Sequence, residues 1–411
     1  MVFDKYKGPK IHSIHGFAAK FPPGLPRYFI ERLTEPGDIV LDPMLGSGTT
    51  LVEAMLLNRK GIGIDIDPLA LLQSKVKTHV VEPNILESVS KTIANQATIS
   101  LMEGGYPKDE NDIERYLVDY DEDTKKFFNF WFLPKTIAEL NLLVEKINQV
   151  ENGPLKKALE MAFSATIIQK SSGVSLAVDL THTRPHRKLD KLPQAAPPFF
   201  IRNAKKIVNA YAEIKNCVQN KPTSSIIASD SKNLPLLNDS VKLIVTSPPY
   251  ANALDYMRAH KFSLSWLGYS ISSLSDLRSR YIGSEKKEEV FTLGLETIDS
   301  TLEELANIDR ARSLILAKYF LEMRQVIGEM HRVTEPEGSL VIVVGPSTAR
   351  GILIPTHEGL AEIGKQEGFE LIGIKEREIH RDHRQMPFSK TTDNDGIEAR
   401  IHRESILLLR K

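Results

Sequence analysis

The sequence has little of what disulfide-rich, metal-binding or membrane proteins depend on. It contains one cysteine, Cys217, in 411 residues, which excludes an internal disulfide framework and a zinc site built from several thiolates. Its 53 basic and 53 acidic side chains give a formal net charge of +0, so there is no global basic field for coating DNA. No apolar run reaches membrane-spanning length, and the N-terminus lacks an apolar signal core. We therefore expect a cytoplasmic protein that contacts no membrane.

Short apolar runs that alternate with helical patterns dominate both ends of the chain. Such alternation predicts β-α units around a parallel sheet. The last two runs, F-E-L-I-G-I-K-E-R-E and E-S-I-L-L-L-R-K, have no long helix between them and predict an antiparallel pair. The earlier predicted strands lie at residues 38–42, 61–67, 224–229, 241–246 and 339–345.

Two insertions interrupt this alternating pattern. Residues 71–222 carry Leu, Ile and Val at helical spacing and exceed an ordinary crossover connection. Residues 252–310 form a second, more polar insertion. We predict a catalytic domain formed by residues 1–70 and 223–411, and a helical inserted subdomain at 71–222 that is a candidate for DNA recognition.

A glycine-containing turn follows the first predicted strand in L-D-P-M-L-G-S-G-T-T-L-V-E. Gly46 and Gly48 permit a sharp turn, and Thr50 with Glu53 predicts a capping box at the start of the next helix. Asp65, at the end of the second strand, has about the spacing of an acid that binds ribose hydroxyls. A dinucleotide site needs a third glycine where this chain has Leu51. The pattern therefore favours an adenosyl ligand without pyrophosphate over a dinucleotide or a purely structural turn.

Two motifs together make the chain similar to the S-adenosylmethionine-dependent amino-methyltransferases of DNA. They are D-P-M-L-G-S-G-T-T-L-V-E-A and T-S-P-P-Y, supported by residues 12–38, G-I-G-I-D-I-D-P and A-S-D-S-K-N-L-P-L. The resemblance implies a Rossmann-like α/β fold with a seven-stranded sheet and an antiparallel last strand. It also implies S-adenosyl-L-methionine as the cofactor. The residues expected to contact this cofactor are Phe21, Asp42, Pro43, Met44, Gly46, Gly48, Thr49, Thr50, Asp65, Ile66, Asp230 and Ser247.

The chain departs from the family pattern in two respects. Met44 replaces the phenylalanine that usually follows Asp-Pro, and it still offers an apolar face. The S-P-P-Y segment follows the glycine turn, whereas many members of the family have the reverse order. A circular permutation of this kind leaves the sheet unchanged.

The segment Ser247-Pro248-Pro249-Tyr250 is the predicted catalytic motif. Prolines end a buried strand in many proteins, so a plain turn is the simplest interpretation. The amine of cytosine or adenine is a poor nucleophile, because its lone pair is delocalised into the ring. We predict that the Ser247 hydroxyl and the Pro248 carbonyl accept its hydrogens and free the lone pair, while Tyr250 stacks on a base flipped out of the duplex. Direct methyl displacement of this kind requires no metal.

Serine in the first position of the motif favours cytosine N4 within the resembling family. We predict a DNA methyltransferase of a restriction–modification system that acts on double-stranded DNA, with a cognate endonuclease of the same system as a candidate partner. An adenine-N6 enzyme and an RNA amino-methyltransferase remain alternatives. Two further alternatives are a nicotinamide-dependent oxidoreductase and a non-catalytic DNA-binding module.

Two basic segments are candidates for nucleic-acid binding. Residues 181–191 form the densest basic stretch, and residues 255–268 follow the predicted catalytic motif. Taken alone, a run of charge is more often a solvated loop. Next to a presumed base-binding site it becomes a candidate for phosphate contacts. The candidate side chains are Arg184, His186, Arg187, Lys188, Arg258 and Lys261.

Overall fold

A computed structural model describes residues 5–18, 20–218, 224–251, 255–284, 292–379 and 403–411. The helices are α1 (Gly24–Leu33), α2 (Thr49–Leu56), α3 (Pro68–Thr78), α4 (Pro83–Gly104), α5 (Glu110–Ile113), α6 (Glu122–Trp131), α7 (Pro134–Asn148), α8 (Pro154–Ile167), α9 (Ala196–Val218), α10 (Met257–Leu264), α11 (Ile271–Ser279), α12 (Glu296–Val333) and α13 (Thr356–Gln366). No helix in these ranges has both the length and the apolar character needed to cross a bilayer.

Seven strands form the central sheet, in the order β10-β11-β7-β6-β1-β2-β5. The strands in chain order are β1 (Ile39–Asp42), β2 (Lys60–Asp65), β3 (Ala177–Val178), β4 (His186–Arg187), β5 (Ser225–Ala228), β6 (Val241–Thr246), β7 (Thr334–Val344), β8 (Ser347–Ala349), β9 (Ile352–Ile354), β10 (Glu370–Glu378) and β11 (Arg403–Arg410). Strand β11 is antiparallel to both neighbours, and the other pairs are parallel. The predicted seven-stranded α/β fold with an antiparallel last strand is confirmed.

Successive side chains of the central strands point to opposite faces of the sheet, and the side chains on both faces are buried. In β7, Leu340 and Ile342 belong to the core that contains Phe320 of α12. Val341 belongs to the core on the opposite face, which contains Phe29 of α1. This period of two with apolar residues on both faces is expected of a parallel sheet covered by helices on each side.

The inserted residues are mostly helical, as predicted, and form helices α4 to α9. Their apolar side chains share one core with Val52 of α2 and Leu69 of α3. Helix α3 crosses residue 70, where the insertion was predicted to begin, so the added helices start at α4. The assignment of this part of the chain to DNA recognition stays a prediction.

The order of the strands creates a crevice at the carboxyl ends of β1 and β6. Strand β1 pairs with β2 on one side and with β6 on the other, so the connections leave β1 and β6 in opposite directions. Open α/β sheets bind their ligands outside the carboxyl ends of the strands at such a point. Asp42 ends β1 and Thr246 ends β6, so the glycine turn and the S-P-P-Y segment both begin here.

Candidate active site

The glycine turn between β1 and α2 is held against the end of β2 by two backbone donors. The Leu45 N–H donates to the Ile64 carbonyl at 3.0 Å, and the Gly46 N–H donates to Asp65 Oδ2 at 2.8 Å. Gly46 has φ +48°, in the left-handed region that glycine adopts with little strain. The Gly48 N–H donates to the Leu45 carbonyl at 2.9 Å. The amides of Gly46 and Gly48 therefore have partners within the protein.

Asp65 is a half-buried carboxylate with backbone donors on both oxygens. Besides the Gly46 bond, its Oδ1 accepts from the Asp67 N–H at 2.9 Å. Burial, followed by the charge of Asp67, raises the pKa of Asp65 to about 7, against the opposing effect of these hydrogen bonds. Since a carboxylate has lone pairs for more than two donors, Asp65 can still accept from ligand hydroxyls.

The prediction of a capping box at the start of α2 is wrong, because no side chain caps this helix end. Glu53 is fully buried, and its Oε1 lies 2.8 Å from His12 Nε2. Its Oε2 accepts from Arg27 Nη1 at 3.2 Å. Thr50 is also fully buried and donates to the Val245 carbonyl at 3.3 Å. A buried carboxylate needs charged or strongly polar donors, and the N-terminal segment supplies them to Glu53 in place of the helix end.

Asp42 and Thr246 join the glycine turn to the strand that carries S-P-P-Y. Thr246 Oγ1 donates to Asp42 Oδ1 at 2.8 Å, and both side chains are buried. Asp42 Oδ1 also accepts from the Met44 N–H at 3.3 Å. Burial raises the pKa of Asp42 to about 6, although these hydrogen bonds oppose the rise.

Asp67 joins the end of β2 to the second insertion. Its Oδ2 lies 2.6 Å from His260 Nδ1 and accepts from the Tyr281 hydroxyl at 2.9 Å. Burial raises the pKa of Asp67, but the nearby His260 ring and the hydrogen bonds outweigh it and leave the pKa lowered. This cluster was not predicted from the sequence. Its only local signal was the second aspartate of D-I-D directly before a helix-starting proline.

An aromatic pair lies beside the turn. The Phe17 and Tyr256 rings stack with centroids 5.5 Å apart, and both line the cavity described next. Lys20 also lines this cavity and donates to the His12 carbonyl at 2.6 Å. Burial lowers the pKa of Lys20 to about 8. Lys77 is fully buried beneath the turn and donates to the Ser47 carbonyl.

A cavity of about 1220 Å³ opens at the carboxyl ends of β1, β2, β5 and β6. Ordinary small-molecule sites measure about 300–1,000 Å³, so there is room for two ligands side by side. Most of the predicted cofactor residues line it, namely Phe21, Asp42, Pro43, Met44, Gly46, Thr49, Asp65, Ile66, Asp230 and Ser247. Gly48 and Thr50 do not. Gly48 approaches helix α3, where an added Cβ would lie 2.9 Å from Ser74 Cβ.

The S-P-P-Y segment enters the same cavity as Gly46 and Asp65. Ser247 and Pro249 line it, whereas Pro248 is buried and does not. Tyr250 is not among the lining residues; its hydroxyl donates to Glu404 Oε1 at 2.7 Å. A Cβ at Gly345 would lie 2.8 Å from Tyr250 Cε2, so only glycine there lets the ring approach β7 so closely. The stacking role predicted for Tyr250 stays a prediction.

The predicted basic residues divide into two groups. Arg184 and Arg258 line the cavity. The other four lie outside it and contact protein groups as follows: His186 Nε2 lies 3.2 Å from Asp179 Oδ2, Arg187 covers the Phe130 ring at 4.4 Å, Lys188 Nζ lies 3.8 Å from Asp190 Oδ2, and Lys261 lies 5.2 Å from the Phe127 ring. Their role in binding nucleic acid stays a prediction.

Comparison with known proteins adds independent information about this site. A family model for DNA methylases of the N6/N4 type matches residues 3–75, which include the glycine turn and Asp65. The Type II methyltransferase M.MvaI of Kocuria varians is 26% identical over 378 residues, covering 86% of this chain and 81% of that protein. The chain is therefore similar to DNA amino-methyltransferases of the N6/N4 type.

Further similarities cover most of the chain. M.BsoBI of Geobacillus stearothermophilus, another Type II methyltransferase, is 24% identical over 421 residues, covering 90% of this chain and 81% of that protein. Among solved structures, a SAM-dependent methyltransferase from Methanosarcina mazei covers 93% of this chain and 96% of that chain, with 8% identity and a TM-score of 0.33. The chain is similar along most of its length to these two Type II methyltransferases.

The cofactor of the methyltransferase is S-adenosylmethionine, as the sequence predicted, and the residues of the cavity fit it. Because the amides of Gly46 and Gly48 are already bonded, the turn offers few free donors to a pyrophosphate. Six aspartates also line the cavity, and four of them lie at or just after the ends of β1, β2 and β5, namely Asp42, Asp65, Asp67 and Asp230. They would repel phosphate, and they suit a ligand that carries ribose hydroxyls and a positive sulfonium.

Proposed function

We propose that this DNA methyltransferase modifies the exocyclic N4 amine of cytosine in double-stranded DNA, at a specific site, as part of a restriction–modification system. The observation that carries the proposal is that Ser247 and Pro249 line the same cavity as Gly46 and Asp65. The cofactor residues and one candidate amine acceptor, the Ser247 hydroxyl, therefore share one space. Serine at the first position of the motif favours cytosine over adenine, by resemblance to the cytosine-N4 group.

The proposed chemistry is direct transfer to the amine nitrogen. When bound, S-adenosylmethionine supplies an electrophilic methyl group on a positively charged sulfur. Ser247 Oγ and the Pro248 carbonyl accept hydrogen bonds from the two amine N–H groups. These bonds hold the nitrogen lone pair toward that methyl. The amine nitrogen would take this methyl group while the sulfur kept the electron pair of the broken carbon–sulfur bond, and the surplus amine proton would pass to solvent. Alignment of this kind supplies much of the rate enhancement in two-substrate reactions.

The rigid backbone of the motif supports this role for its acceptors. Two consecutive prolines fix φ near −65° and restrict the residue before them. Ser247 follows Thr246, whose side chain is bonded to buried Asp42. The acceptors thus project from a segment that is fixed at its strand end, as preorganised catalysis requires.

The target base must leave the duplex to reach this cavity. A base stacked inside a helix is inaccessible, so DNA-modifying enzymes of this kind extrude it. The cavity has room for a base beside the cofactor. Tyr250, which directly follows the prolines, is the aromatic residue that we propose stacks on the extruded base.

A nucleoside analysis tests the proposal. The purified enzyme is incubated with methyl-labelled S-adenosylmethionine and either duplex DNA or RNA, and the product is digested and separated by chromatography with mass detection. We expect N4-methylcytosine in DNA, and we expect the Ser247→Ala variant to form it far more slowly. N6-methyladenine would contradict the cytosine assignment, and label confined to RNA would contradict the DNA substrate. Base-resolved sequencing of modified host DNA would identify the recognition site and test whether modification is site-specific.

A further inference from the structure

The cavity carries charges of opposite sign in different parts. Its aspartates at the strand ends, Asp42 and Asp67, are buried, and Asp65 is half-buried. Six arginines also line it, and four of them are exposed to solvent. These arginines are Arg184, Arg258, Arg278, Arg280, Arg312 and Arg350. Acidic groups thus lie at the strand ends, which suits the cofactor, and most of the arginines lie toward solvent, where Asp255 and Asp309 pair with some of them.

Arg350 differs from the other arginines because it sits at the tip of a hairpin. Strands β8 and β9 pair from Ser347–Ile354 to Ala349–Ile352, which leaves Arg350 and Gly351 as a two-residue loop. Their φ angles are +51° and +86°, as in a type I′ turn, whose first position is usually asparagine, aspartate or glycine. A long side chain in this conformation strains the backbone. Strain of this kind at a cavity suggests that the guanidinium itself is needed.

A single carboxylate holds the Arg350 guanidinium. Arg350 Nε donates to Asp309 Oδ2 at 2.8 Å, and Nη2 lies 2.7 Å from the same oxygen. The other oxygen of Asp309 accepts from the Arg312 N–H at 3.0 Å, where helix α12 is interrupted by non-helical backbone at Asp309. The Arg350 side chain is 63% exposed. Exposed pairs of this kind contribute little stability, so the exchange of Asp309 for another anion costs little.

The hairpin follows a residue that packs against the predicted catalytic motif. Strand β8 begins two residues after Gly345, on which the Tyr250 ring lies. Thr348, Arg350 and Gly351 all line the cavity that Ser247 enters. An anion bound by Arg350 would therefore lie beside the mouth through which a base reaches Ser247.

We propose that Arg350 binds a backbone phosphate of the DNA strand that carries the target base, and that Asp309 takes the place of this phosphate in the free enzyme. The proposal rests on the proposed function, because it assumes a DNA substrate. Arginine matches phosphate with two parallel N–H donors, as it does a carboxylate. Binding exchanges one anion for another on the same guanidinium.

Opposite effects of two substitutions test this proposal. Arg350→Ala removes the phosphate contact, so we expect duplex DNA to bind on the order of tenfold more weakly, with a salt dependence shallower by about one ion. Asp309→Asn keeps a side chain that caps the helix after the break equally well, but it removes the competing charge. We expect this variant to bind DNA a few-fold more tightly. Fluorescence anisotropy of labelled duplex over a range of salt concentrations measures both effects.

The control is a matched ion pair outside the cavity. Arg403 is 61% exposed and its Nη1 lies 3.2 Å from Glu376 Oε2, and we expect Arg403→Ala to bind DNA as the unmodified enzyme does. Calorimetry with S-adenosylmethionine verifies that each variant retains its folded cofactor site. Weaker binding by both Arg350→Ala and Asp309→Asn would identify a structural pair and overturn the proposal, as would an Arg350→Ala variant that behaves like Arg403→Ala. An unmodified enzyme that neither binds nor methylates DNA would instead contradict the proposed function.

Discussion

Thr246 Oγ1 donates a 2.8 Å hydrogen bond to Asp42 Oδ1 across 204 residues of sequence. The bond lies where β1 and β6 end side by side. It joins the glycine turn, which begins after Asp42, to the S-P-P-Y segment, which begins after Thr246. The cofactor residues and the proposed amine acceptors are thereby fixed relative to one another by a buried contact.

Thr246→Val should destabilise the enzyme by about 1–3 kcal/mol, because buried Asp42 loses a side-chain donor. The pKa of Asp42 is already raised to about 6, and loss of the donor raises it further. The destabilisation should therefore be larger above pH 6, where the carboxylate must stay charged, than below it. Urea unfolding at two pH values measures this difference. Thr246→Ser keeps the hydroxyl and serves as the control, so equal stabilities of the Val and Ser variants would contradict the prediction.

Local patterns in the sequence predicted the sheet well. The apolar runs in β6 and β7 are short and bounded by turn residues, and the two last runs lack a helix between them. Strand burial and connection length determine such features locally. The turn at Gly46 and its partner Asp65 were predicted for the same reason, since the strand, turn and helix that position them are consecutive.

Contacts between distant segments were not predictable in the same way. Glu53 resembled a capping residue, and its actual partners His12 and Arg27 depend on how the N-terminal segment packs. Tyr281 reaches Asp67 from a polar insertion that has no strong periodic pattern. Arg350 reaches Asp309 only because the hairpin lies beside the break in α12. No local spacing encodes any of these four contacts.

The pH dependence of cofactor binding should follow the ionisation of the Asp65 carboxyl group. Its pKa in the folded enzyme is raised from 3.8 to about 7, so its contribution to stability is greatest below pH 4 and is lost as pH rises to about 7. Ribose hydroxyls donate to the ionised form, so S-adenosylmethionine should bind more tightly as pH rises through 7. Calorimetry between about pH 6 and 8 measures this trend, and urea unfolding of the cofactor-free enzyme measures the opposite trend in stability.

Asp65→Asn should remove both trends and weaken cofactor binding on the order of tenfold or more, because a charged acceptor is lost. Asp276→Asn changes an exposed aspartate of α11 outside the cavity and is the control. Unchanged pH dependence in Asp65→Asn would show that another group titrates.

Ser247→Ala should lower the rate of methyl transfer by on the order of a hundredfold or more, the usual loss when one preorganised hydrogen-bonding group is removed from an active site. Cofactor affinity should change little. Ser229→Ala removes a hydroxyl elsewhere in the same cavity and should leave the rate nearly unchanged. Single-turnover assays with saturating DNA separate the chemical step from binding. Full activity of Ser247→Ala would refute the role of its hydroxyl as an acceptor.

Two substitutions of Tyr250 distinguish a stacking role of its ring from a hydrogen-bonding role of its hydroxyl. Its hydroxyl donates to Glu404, whose other oxygen accepts from Arg377 Nε at 2.7 Å, so Glu404 retains a charged partner in Tyr250→Phe. If the ring stacks on the extruded base, Tyr250→Phe should retain most of its activity. Tyr250→Ala should lose the roughly 1–3 kcal/mol that stacking supplies, about tenfold to a hundredfold. Measurement of kcat and KM for duplex DNA compares the two variants. Equal losses in both would mean that the bond to Glu404 positions the motif and that the ring face contributes nothing to base binding.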